Sequence, residues 1–124
     1  MTLHDSKAFS GFAVKDLAAA KEFYGGLLGL RITDDGPLAT LHLGGGRELL
    51  CYEQPTSTAA SYTILNFPVA DVDATVRELT DKGLRFERYA GMPQDEYGVM
   101  HDNGPTIAWF TDPSGNVLSI IATD

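Results

Sequence analysis

The chain is poor in metal-binding and cross-linking side chains. It has one cysteine, Cys51, and three histidines, His4, His42 and His101, in 124 residues. A single thiol excludes an intramolecular disulfide, a zinc site with two or more thiolates, and a Cys-x-x-Cys redox pair. Cations are also scarce: 9 Lys and Arg stand against 17 Asp and Glu, a formal charge of −8. A chain of that sign lacks the cations that neutralise a nucleic-acid backbone or an anionic membrane surface. No apolar run approaches the ~20 residues needed to span a bilayer. Met1-Thr2-Leu3-His4-Asp5-Ser6-Lys7 has neither the basic stretch nor the apolar stretch of a secretion signal. The expectation is a cytoplasmic protein without nucleic-acid or membrane partners. What is present is apolar material, 44% of the chain, enough to build one domain over 1–124.

The domain carries an internal repeat. Val14-Lys15-Asp16-Leu17 is matched by Val69-Ala70-Asp71-Val72, 55 positions later, and Gly29-Leu30-Arg31 by Gly83-Leu84-Arg85, 54 later. Gly36-Pro37 is matched by Gly104-Pro105, 68 later, and Gly46 by Gly115, 69 later. Repeat one covers about 7–54 and repeat two about 61–123. The jump in offset means that roughly 14 residues enter the second half, in a loop over about 88–103. Loops of that length are often functional or mobile.

Each half predicts the same elements. In the first, Lys7–Val14 reads as a strand and Asp16 as a helix N-cap. Leu17, Ala20, Phe23, Tyr24, Leu27 and Leu28 then make one apolar stripe at helical spacing. Gly25-Gly26 weakens its last turn and Gly29 stops it. Strands are predicted over Arg31–Asp35, Leu38–Leu43 and Glu48–Glu53. In the second half the strand Tyr62–Val69 leads to a helix capped by Asp71 with the stripe Val72, Val76 and Leu79. Strands are predicted over Arg85–Tyr89, Thr106–Thr111 and Val117–Ala122, the last two joined by the turn Asp112-Pro113-Ser114-Gly115-Asn116. The fold class is α+β, with βαβββ written twice. A unit of that size buries too little surface to be comfortable alone.

These residues resemble the vicinal oxygen chelate superfamily, which includes glyoxalases, bleomycin-resistance proteins and extradiol dioxygenases. The resemblance rests on Val14-Lys15-Asp16-Leu17 with Phe23-Tyr24 and Leu28-Gly29-Leu30, on Val69-Ala70-Asp71-Val72 with Leu79 and Lys82-Gly83, and on Phe110-Thr111-Asp112-Pro113-Ser114-Gly115-Asn116. It implies two βαβββ units with concave mixed sheets. It also implies, for the enzymes of the family, a divalent metal held from the first and last strand of each unit. Carried onto this chain, the four ligand positions are Phe9, Leu50, Ile64 and Ser119. Three have no donor atom and the fourth offers one neutral hydroxyl, so no metal and no other cofactor is expected there.

Alternation along the strands then gives the cavity face. It comprises Phe9, Ala13, Glu48, Leu50 and Tyr52 in the first half, and Ile64, Asn66, Ile107, Trp109 and Ser119 in the second. Met100 and His101 of the inserted loop join them as candidate ligand contacts. Such a face either fills the barrel as core or receives a small apolar or aromatic molecule. His42 is expected on the helix-facing or outer side, since the Gly36-Pro37 match aligns Leu41 with Trp109 and His42 with Phe110. Cys51 is expected to be buried and His4 to be loose. Gly44-Gly45-Gly46 precedes a strand and is no phosphate loop.

The reading favoured by these residues is a metal-free binding protein of the bleomycin-resistance type. It would sequester an antibiotic or metabolite, and the resemblance implies a homodimer. The alternatives are a lyase, isomerase or dioxygenase, metal-dependent or using His101, Glu96 or Tyr97 as acid or base, and an interaction module with a closed core.

Overall fold

A computed structural model describes residues 2–123, which divide into two compact units with the boundary between Ser57 and Thr58. In the first unit the order is β1 (Ser10–Val14), α1 (Leu17–Lys21), a π-helical stretch (Glu22–Leu27), β2 (Arg31–Asp35), β3 (Leu38–His42) and β4 (Glu48–Glu53). The sheet order is β1-β4-β3-β2, parallel between β1 and β4 and antiparallel elsewhere. The Asp16 carboxylate caps α1 by accepting from the Ala19 N–H at 3.2 Å. Glu53, at the end of β4, accepts from the Leu17 N–H at 2.8 Å and so ties the helix start to the sheet. Gly25-Gly26 lies where the helix widens to i→i+5 bonding, with the Leu28 N–H on the Phe23 carbonyl. Gly29, at φ +76°, then ends it.

α1 packs over β3 and β4. The sheet face beneath it holds Phe12, Val14, Ala39, Leu41, Leu49 and Cys51, all buried, together with Leu17, Ala20 and Tyr24 of the helical segment. The opposite face carries Ala13, Leu38, Thr40, His42, Glu48, Leu50 and Tyr52, as cross-strand pairing requires. β1 is shorter than the sequence predicts. Its ladder opens at Ser10↔Leu49, so Phe9 lies before it and is 69% exposed.

The second unit runs β5 (Thr63–Val69), α2 (Val72–Asp81), β6 (Ile107–Thr111) and β7 (Val117–Ala122), with sheet order β5-β7-β6. Asp71 caps α2 through the Ala74 N–H at 3.0 Å. Val72, Val76 and Leu79 of α2 are buried over the face formed by Ala108, Phe110, Leu118 and Ile120.

The predicted strand Arg85–Tyr89 does not form as a continuous element. Phe86 makes one bridge to Phe110, and the Glu87 N–H donates to the Trp109 carbonyl at 2.8 Å. The chain then leaves the edge of β6 and returns at Met100, which exchanges both backbone bonds with Ile107, at 2.8 and 3.2 Å. The inserted residues therefore interrupt the edge strand that its counterpart β2 completes in the first unit. Side chains supply the bonds that a ladder would have made. The Gln94 amide donates to the Glu87 and Gly98 carbonyls at 2.9 and 2.8 Å and accepts from the Tyr89 N–H at 2.8 Å.

The turn between β6 and β7 is built on two buried polar residues, Asp112 and Asn116. Asp112 Oδ1 accepts from the backbone N–H of Ser114 and of Asn116, both at 2.9 Å, and Asp112 Oδ2 accepts from the Asn116 amide at 3.0 Å. Gly115 sits at φ +93°, and a Cβ there would lie 3.3 Å from the Ala59 Cβ. Gly115→Ala is expected to cost about 1–2 kcal/mol, the penalty of an L-residue in left-handed backbone. Urea unfolding measures it, and an unchanged midpoint would show that the turn has no need of that conformation.

Candidate functional site

Each sheet turns one face to its helix and leaves the other open, and the open faces hold most of the residues picked out by the sequence. In the first unit, the Leu38↔Tyr52, Thr40↔Leu50, His42↔Glu48 and Ala13↔Tyr52 pairs place an apolar strip beside a polar corner. His42 belongs to that corner, which corrects its expected position. The Gly36-Pro37 offset of 68 is one short for the strands that follow. Leu41↔Leu49 corresponds to Phe110↔Leu118, an offset of 69 that also matches Gly46 with Gly115. One residue of register turns a strand over. Leu41 therefore goes under α1, Thr40 takes the place equivalent to Trp109, and His42 comes to the open face. There it has an acidic neighbour: Nδ1 is 3.5 Å from Glu48 Oε2, and Nε2 is 2.7 Å from the Thr33 hydroxyl. Alternation from the apolar Leu41 was the signal that identifies this face.

In the second unit, Trp109↔Ser119, Asn66↔Ser119 and Ile107↔Ile121 bring the predicted residues onto one face. Ser119 is fully buried, and its hydroxyl donates to the Asn66 carboxamide oxygen. Asn66 itself is exposed, so the pair offers a polar point at the surface, anchored from below. Trp109 is half-buried and meets Tyr89 edge to face at 5.5 Å. Burial pushes the Tyr89 phenol above its ordinary pKa, and the charge of Glu87 adds to this. Met100 is buried beside Ile107. Ile64 falls at a register shift between Thr63 and Leu65 and has no partner in β7.

His101 is not brought to this face. Its Nε2 lies 3.2 Å from Asp95 Oδ2 and 3.5 Å from Asp73 Oδ1, at the first turn of α2. Burial pushes the Asp95 carboxyl up. The N–H groups of Val99 and Tyr97, and then His101, outweigh that effect and hold the carboxyl below the ordinary carboxylate pKa. A separate cavity of about 740 Å³ lies at the other end of α2, between Thr80, Leu84, Phe86, Arg88 and Tyr97. Arg88 is already committed there to the carbonyls of Asp95 and Glu96.

A sequence profile of the Glyoxalase/Bleomycin resistance protein/Dioxygenase superfamily matches residues 8–120. The chain belongs to this superfamily. Several solved structures share its fold at low identity. One is the bleomycin resistance determinant encoded on transposon Tn5 (20% identity, TM-score 0.70, covering 96% of this chain and 98% of that one). A second is a lactoylglutathione lyase from Agrobacterium tumefaciens (23%, TM-score 0.67, 96% and 95%). A third is TnmS3, an antibiotic binding protein from Streptomyces sp. CB03234 (23%, TM-score 0.67, 97% and 98%). No curated protein matches the sequence significantly. The superfamily thus spans binding proteins and enzymes, and fold does not choose between them.

The metal that superfamily enzymes hold does not fit the four corresponding positions in this chain. Leu50 and Ile64 have no donor, and Phe9 has none and lies outside β1. The Ser119 hydroxyl is taken up by Asn66. A divalent ion needs several oxygen, nitrogen or thiolate ligands. Among the described residues no helix is long and apolar enough to cross a membrane.

Proposed function

We propose that this superfamily member is a small-molecule-binding protein that captures a largely apolar or aromatic ligand, such as an antibiotic or metabolite, without a metal at the four strand positions. One observation carries the reading. Where a metalloenzyme of this fold would need ligands, the open face of the second unit has Trp109, Ile107 and Ile121 around the Ser119–Asn66 hydrogen bond. An apolar surface with one anchored polar point suits a small organic molecule, for which apolar area supplies affinity and a few polar groups fix orientation. Ala13, Leu50 and Tyr52 on the open face of the first unit offer similar chemistry, with Glu48 at its polar corner. Under this reading the protein works in the cytoplasm as a homodimer, its partners being the ligand and a second copy.

The His42 arrangement favours a second reading. An imidazole flanked by a carboxylate and a hydroxyl is equipped for proton transfer, and a lyase or isomerase would use it as an acid or base.

A thermal-shift screen with planar aromatic compounds tests the first reading. A ligand present at about 100 times its Kd should stabilise by about 2.7 kcal/mol and raise Tm by on the order of 10 °C. A library that leaves Tm unmoved would sink ligand capture. Turnover that disappears in His42→Ala would favour the enzyme.

A further inference from the structure

The inserted segment and the first turn of α2 together present a donor set that is not repeated elsewhere among the described residues. Asp95 and His101 come from the insert, and Asp73 comes from the first turn of α2. One ligand atom from each lies within 4.8 Å of the others. The repeat shows that the whole set is peculiar to the second half: the position matching Asp73 is Ala18, and the first half has no insert. None of the three belongs to the four strand positions at which this fold carries its metal.

We propose that Asp73, Asp95 and His101 bind one divalent transition-metal ion. Bonds of about 2.0–2.2 Å to nitrogen and oxygen, at angles between octahedral and tetrahedral, put neighbouring ligand atoms about 2.8–3.6 Å apart. The two separations from His101 Nε2, 3.2 and 3.5 Å, lie in that range. Asp95 presents one oxygen because the other is occupied: Oδ1 accepts from the N–H groups of Tyr97 and Val99, each at 2.9 Å. Outer bonds of this kind orient a ligating carboxylate. Asp73 is half exposed on a helix surface, so its side chain can close the remaining distance.

The chemistry of the set selects the ion. Two carboxylates neutralise a dication, and the imidazole favours Zn²⁺, Co²⁺ or Ni²⁺ over Ca²⁺ and Mg²⁺, which take oxygen ligands. Three protein ligands leave positions open to water. An ion here would clasp the insert to the start of α2. The inference goes beyond ligand capture on the open sheet face, and neither depends on the other.

The test uses the full chain, treated with a chelator and then freed of it. Co²⁺ titration followed by visible absorption, and Zn²⁺ titration followed by calorimetry, should each show one ion per chain with micromolar affinity. Asp73→Asn, at an exposed site that leaves the bonds within the insert intact, should weaken binding roughly tenfold or more, and His101→Ala at least as much. Circular dichroism checks that both variants are folded. The proposal is overturned if neither ion saturates below about 1 mM. It is equally overturned if Asp73→Asn and His101→Ala bind like the wild type, in which case the cluster is an ion pair only.

Discussion

Asp112→Ala should be among the most destabilising substitutions in this protein, lowering unfolding free energy by about 2–4 kcal/mol. That range follows from losing hydrogen bonds to a charged acceptor and leaving buried donors unpaired. Asp112 is buried and accepts from two backbone N–H groups and from the Asn116 amide. Asn116 in turn accepts from the Ala60 N–H at 3.3 Å, so the turn also holds the segment that leads into β5. The damage should spread from the turn to the start of the β5–β7 ladder. Asp112→Asn keeps an acceptor oxygen but loses the charge, and should fall between wild type and alanine. Denaturant unfolding of the three proteins checks this. A loss under about 0.5 kcal/mol for the alanine variant, the size of an ordinary surface change, would mean that the turn re-forms its bonds with water.

Trp109→Ala should have the largest effect on ligand binding. A central aromatic anchor contributes about 2 kcal/mol or more in well-packed sites, so the affinity for any compound found by thermal shift should fall about 30-fold. Stability should change less. The edge-to-face contact with Tyr89 is worth about 0.5–1.5 kcal/mol beyond area burial, and Trp109 is only half-buried. It is also the one tryptophan of the chain, so its fluorescence in the wild type reports directly on a ligand at this face. A ligand that binds Trp109→Ala with unchanged Kd, or leaves the fluorescence of the wild type untouched, binds elsewhere. The cavity of about 740 Å³ near Arg88 and Tyr97 would then be the place to look.

Much of the fold was legible from spacing because the relevant signals are local. An Asp before an apolar helical stripe is a cap wherever it occurs, and Asp16 and Asp71 both behave so. Strands β2, β4 and β7 have the ends that alternation and turn residues indicate. The poverty of donors at Leu50, Ile64 and Phe9 was also legible, since it needs only residue identity once the motifs are counted.

Three features are settled by pairing between strands and loops, and only for the first did a local signal, the alternation from Leu41, point the right way. His42 faced the wrong way because a Gly-Pro match set its register, whereas the ladder to Glu48 decides it. The fourth strand of the second unit was expected over Arg85–Tyr89, yet the insert divides its place between Phe86 and Met100. His101 had Asp102 beside it in sequence but meets Asp73 and Asp95 in space. By itself the sequence determined most of the repeated elements with their caps and turns, because each follows from neighbours a few residues apart. Only the tertiary structure decided that His42 meets Glu48 and Thr33 and where the insert returns. It alone brings His101 to Asp73 and Asp95, because those outcomes rest on contacts between segments 6 to 28 residues apart, which local propensity does not encode.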